Sequence, residues 1–156
     1  MKTLTTKFSI LLSVLVLLLA GTACNNEEDI ERLLLYEVEL NGANQVPSVT
    51  TTGSGTFTGT YNDETNILSY DINWELGDQS NATTAIRFHG PVTTSGANAP
   101  AIIEIADFDS GTDGSITGST RPLTESEEAD LKAGRWYISI YSDAFPDGEL
   151  RGNIVR

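Results

Sequence analysis

Few side chains in this 156-residue chain have the type and spacing for chemistry. His89 is the one histidine, and two-residue alternation places it beside Arg87 on one strand face, away from Ile86 and Phe88. The stretch Asp107-Phe108-Asp109-Ser110-Gly111-Thr112-Asp113-Gly114 has acids near the spacing of a calcium loop. It departs from the helix-loop-helix calcium pattern at Gly111, at Thr112 where glycine is needed, and at Gly118 where a bidentate Glu is needed. The expected role is therefore a turn, with a weak calcium site of the extracellular kind as the alternative. In Gly148-Glu149-Leu150-Arg151-Gly152 the residues Glu149 and Arg151 share a strand face, and Asp147 stands at the turn before them. A structural ion pair that fixes the last strand is expected, with a place in an interface as the alternative. The sequence has no Gly-x-Ser-x-Gly elbow and no glycine-rich phosphate loop. Carboxylates are plentiful on an acidic surface, and that abundance does not define a glycosidase pair. These residues predict no catalytic group, no cofactor and no metal ligand set.

The elements that position these side chains read as strands. From Leu33 onward the hydrophobic period is two, and short segments are punctuated by Gly, Asn, Asp and Pro. Leu68, Tyr70, Ile72, Trp74 and Leu76 fall on one face, with Ser69, Asp71, Asn73 and Glu75 on the other. Trp136, Ile138 and Ile140 alternate with Tyr137 and Ser139 in the same way. Further strands are expected at 33–41, 54–61, 84–89, 101–106, 114–119 and 149–155. One short helix interrupts them: Thr124 and Glu127 make a capping box, and Gly134 suits a left-handed C-terminal cap. This helix is expected to cover the sheet face that carries Tyr137 and Tyr141; left bare, those rings would suit a carbohydrate or extracellular protein ligand. The fold class predicted is all-β, an antiparallel Greek-key sandwich or flattened barrel of about eight strands, superoxide dismutase-like or immunoglobulin-like.

The N-terminal segment has a different composition. Lys2 and Lys7 precede an apolar run from Phe8 to Ala20, and the small residues Gly21-Thr22-Ala23 precede Cys24. That order is typical of a secretory signal, and an apolar run of about 13 residues is short of the roughly 20 that span a bilayer. Cys24, the one cysteine, resembles the acylated cysteine of the bacterial lipobox, although Gly21 stands where a leucine-like residue is usual. The expected organisation is a signal peptide over 1–23, a lipidated acidic tether over 24–32 and a β domain over 33–156. Asn25-Asn26-Glu27-Glu28-Asp29 resembles export signals of surface-exposed lipoproteins and serves equally as a solvated tether. A net charge of −13 argues against nucleic acid and against electrostatic attraction to anionic lipid. Membrane attachment is expected through lipid on Cys24, at the outer membrane of a bacterial cell envelope.

Three groups of residues resemble one family. They are Leu40-Asn41-Gly42-Ala43-Asn44-Gln45-Val46-Pro47, Phe88-His89-Gly90-Pro91, and Gly134-Arg135-Trp136-Tyr137-Ile138 together with Phe145-Pro146-Asp147-Gly148-Glu149-Leu150-Arg151-Gly152. Over residues 35 to 155 the chain is similar to a chordin-type (CHRD) domain. The resemblance implies a secreted or lipid-anchored location and a β architecture, and no reaction. In typical members the position of Arg87 is also histidine, and another histidine often takes the place of Tyr141, a trio loosely like the metal site of copper-zinc superoxide dismutase. Two of the three are replaced here, and a guanidinium both removes a ligand and opposes a cation. Arg87, His89 and Tyr141 are therefore expected to form a hydrogen-bonded polar or ligand patch. The expected function is a non-catalytic, lipid-anchored binding or structural module. The alternative is a metal-dependent enzyme or metal-sequestering protein centred on His89.

Overall fold

The computed structural model describes residues 33–94 and 96–156, all within the unit Glu31–Arg156. Cys24 and the segments 1–23 and 24–32 lie outside the described residues. Eight strands follow one another as β1 (Leu33–Asn41), β2 (Ser54–Asn62), β3 (Ile67–Glu75), β4 (Thr83–His89), β5 (Ala101–Ile105), β6 (Asp113–Ser119), β7 (Trp136–Ser142) and β8 (Leu150–Ile154). A 3-10 turn, Gly42–Asn44, follows β1, and the helix α1, Glu125–Lys132, lies between β6 and β7. The strands form one antiparallel sheet in the order β5-β4-β7-β8-β1-β2-β3-β6. The all-β, antiparallel fold of about eight strands with one short helix is as expected, and its single sheet curls into a half-barrel. Phe88 on β4 meets Phe57 on β2 at 5.8 Å and Tyr70 on β3 at 5.7 Å between ring centroids. Strands far apart in the hydrogen-bonded order thus face each other across the core.

Period-two alternation sets what enters that core. Tyr36, Leu40, Phe57, Tyr61, Leu68, Ile72, Trp74, Ile86, Phe88, Trp136, Ile138, Ile140, Leu150 and Ile154 are buried together. Burying one such side chain contributes roughly 1.5–3 kcal/mol. Trp74 donates its indole N–H to the Thr83 hydroxyl at 2.8 Å, so this apolar ring brings its polar atom to a partner. The β2–β3 hairpin turns where Asn62 accepts from the Glu64 and Thr65 N–H groups and Asn66 takes φ 57°.

The capping box of α1 forms as its residues predict, with Thr124 and Glu127 serving each other's backbone N–H. Arg121 grips Glu127 through two hydrogen bonds of 2.7 and 2.6 Å, and this grip leads the interactions that hold its carboxyl down to about 2. Gly134 follows with φ 68°. Leu123 and Leu131 join the core. The helix therefore packs on the core side of the sheet and does not cover Tyr137 and Tyr141, because its Leu131 and the preceding Leu123 both turn into the core.

Candidate functional site

The convex face of β4, β7 and β8 carries Arg87, His89, Tyr137, Ser139, Tyr141, Arg151 and Asn153, brought level by the ladders His89↔Tyr137, Arg87↔Ser139 and Ser139↔Arg151. In an isolated sheet these alternating polar residues would face water. Here the loop 42–53 and residues 97–100 fold over them, and His89, Tyr137, Ser139 and Arg151 are 7, 4, 1 and 2% exposed. Tyr137 is therefore closed to a carbohydrate ring or a partner surface, contrary to the use considered for a bare face.

His89 is fixed from both nitrogens. Nδ1 lies 2.9 Å from the Ala99 carbonyl, which can only accept, so this nitrogen bears the proton. In the neutral ring Nε2 then accepts from the Tyr141 hydroxyl at 2.8 Å. Burial leads the effects that pull the His89 pKa below its ordinary value, with the Arg87 and Arg151 charges acting the same way. The imidazole stacks on Tyr137 with centroids 4.7 Å apart and planes 4° from parallel. On β8, Arg151 lies over the same Tyr137 ring at 3.6 Å.

Arg151 sends its three nitrogens to Asn153, Asn98 and the Ala97 carbonyl at 3.1 Å each, pinning the segment before β5 at Ala97 and Asn98. Glu149 is fully buried and accepts from the Thr51 hydroxyl, the Gly77 N–H and the Ser142 hydroxyl at 2.7, 2.7 and 2.6 Å. The expected Glu149–Arg151 ion pair does not form. The turn at Gly148 puts the carboxylate at the loop end while Arg151 lies farther along β8, so each has its own partners. Arg87 instead pairs with Glu104 on β5 at 3.3 Å and lies 4.9 Å from the Tyr141 ring center.

Thus the structure brings Arg87, His89 and Tyr141 into one cluster and places Asp147, Gly148, Glu149, Arg151 and Gly152 in the adjoining corner. Gly148 has φ 114°, and a β carbon there would collide with the Gln45 amide and come within 2.8 Å of the Ser139 hydroxyl. Gly152 packs so closely on Leu40 and Val38 that a side chain would displace them. Asp147 is exposed at the turn. Gln45, Asn98, Ser139 and Ser142 were not singled out as functional residues in the sequence. Gln45 donates to Ser139 at 2.8 Å, and its place in the quoted opening motif was the signal that could have found it.

The acidic loop after β5 turns upon itself, with Asp109 accepting from the Gly111 N–H and the Gly111 carbonyl accepting from the Thr83 hydroxyl at 2.8 Å. Among the described residues, no group of three or more His, Cys, Asp or Glu side chains could hold a metal ion. No helix among them is long and apolar enough to cross a membrane.

A single-sheet, Greek-key-connected β half-barrel with a loop-covered polar face is the class of protein these features define. The chain belongs to the CHRD domain family, whose model matches residues 36–154. Comparison with curated proteins finds no match, and comparison with solved structures finds none.

Proposed function

We propose that the chain is a non-catalytic module of the bacterial cell envelope, anchored at the outer membrane by lipid on Cys24 and acting through binding or structural contacts. The observation that carries the non-catalytic reading is the saturation of the polar cluster. His89, Arg151 and Glu149 direct their hydrogen bonds to neighbours within the domain. A general base or a metal ligand needs a lone pair within reach of its target. At His89 that lone pair is held by Tyr141 in a ring pulled toward neutrality. The anchoring reading is supported by the order of Lys2, Lys7, the apolar run and Cys24.

Expression of the full chain and of Cys24→Ser in a Gram-negative host, with radiolabelled palmitate and membrane fractionation, tests the anchor. The parent is expected in the outer-membrane fraction with label, and Cys24→Ser without label in the soluble fraction. Equal labelling and distribution of the two would overturn the anchor.

A further inference from the structure

The eight strands leave the loops 42–53, 76–82, 106–112 and 143–149 at one end of the half-barrel. These loops carry Asp78, Asp107, Asp109, Asp143, Asp147 and Glu149 and contain no Lys or Arg. Arg121, Lys132, Arg135 and Arg156 all lie in the segments at the opposite end, where β1 begins. At the acidic end two hollows of about 270 and 400 Å³ share Ala144 and Phe145 as walls. The smaller is closed by Val46, Pro47, Val49 and Pro146, with exposed Asp147 among its walls. The larger is lined by Thr50, Thr51, Thr52 and Asn81, with exposed Asp78 among its walls.

We propose that this groove binds an extended segment of a partner protein in which an aliphatic or proline side chain is flanked by Lys or Arg. It rests on the reading of the domain as a binding module and names where and what it binds. The smaller hollow lies below the range of drug-sized ligand pockets, roughly 300–1,000 Å³, and suits one or two side chains packed against Phe145. Asp147 and Asp78 then flank the segment with negative charge that no cation in these four loops offsets. Such a field attracts a basic segment and repels nucleic acid and anionic lipid. It also repels the chain's own Glu27-Glu28-Asp29.

An array of hexapeptides, each apolar pair flanked on both sides by Lys-Arg or by Gln-Gln, tests the groove with the labelled full chain in detergent. Captured peptides are then measured by fluorescence polarization. Capture is expected only by basic-flanked members, at least tenfold weaker in 300 mM than in 50 mM salt. Phe145→Ala, Asp147→Asn and Asp78→Asn are each expected to weaken it at least fivefold. The two surface acid variants keep the test decisive if Phe145→Ala does not fold. Glu39→Gln and Asp71→Asn, exposed on β1 and β3 and outside the linings of both hollows, are expected to leave binding unchanged. Capture unaffected by the groove variants, or equal for both flanks, would overturn the groove while leaving a binding module. Absence of capture by any member would overturn the groove and leave the reading of a binding or structural module standing. Concentration-dependent self-association lost in Asp147→Asn would show a second copy as the occupant and overturn the proposal.

Discussion

His89 shows how much one residue's neighbours decide. In the folded chain its Nδ1–H is given to Ala99 and its Nε2 to Tyr141, and burial disfavours the charged ring. The folded-state pKa therefore lies below the ordinary value of 6.5. The unfolded chain binds this proton first, so the His89 contribution to stability is fully present above about pH 6.5 and is lost as pH falls toward the folded-state pKa. Because the chain has one histidine, its imidazole proton resonance can be followed without ambiguity by NMR. The midpoint is expected below 6.5 in the folded protein and to return to about 6.5 in urea. A folded midpoint at or above 6.5 would contradict the assignment of a buried, neutral ring.

At the scale of elements, the polar cluster depends on a corner where the β7–β8 connection meets the loop after β1. Gly148 lets Gln45 reach Ser139 and lets Glu149 turn inward to Ser142. Gly148→Ala adds a strained φ and a collision with Gln45, and is expected to destabilise the fold by about 2–4 kcal/mol in urea denaturation. A loss below 0.5 kcal/mol would show that the corner relaxes freely. The strands themselves were legible in the sequence, since Leu68, Ile72 and Trp74 alternate with exposed Ser69, Asp71 and Asn73. The box at Thr124 and Glu127 and the cap at Gly134 were legible for the same local reason. The cover over Tyr137 and Arg151 was not. Alternation says which side of a strand a residue takes, and says nothing of a distant loop that lies over that side. The pairing of Glu149 with Ser142, and not with Arg151, was hidden likewise, because it depends on the turn at Gly148 and on Thr51, 98 residues away in sequence.

Across the whole molecule, polar side chains gather in two places. The convex face of β4, β7 and β8 uses its buried groups to fasten loops, and the acidic loop end carries the two hollows that share Ala144 and Phe145. The strand order was beyond reach of the sequence because β3 to β4, β5 to β6 and β6 to β7 each join strands that are not neighbours. That order nevertheless sets the division, since it brings the quoted opening and closing motifs together at Gln45 and Gly148. We propose that His89, engaged on both nitrogens with Arg87 beside it, keeps this cluster closed to a cation. Calorimetric titration of zinc and of copper(II) into the purified, metal-stripped full chain and its His89→Gln variant tests that most directly. The account predicts no stoichiometric binding that distinguishes the two proteins. One equivalent of tightly bound metal, lost in His89→Gln, would contradict it and make the site a metal centre.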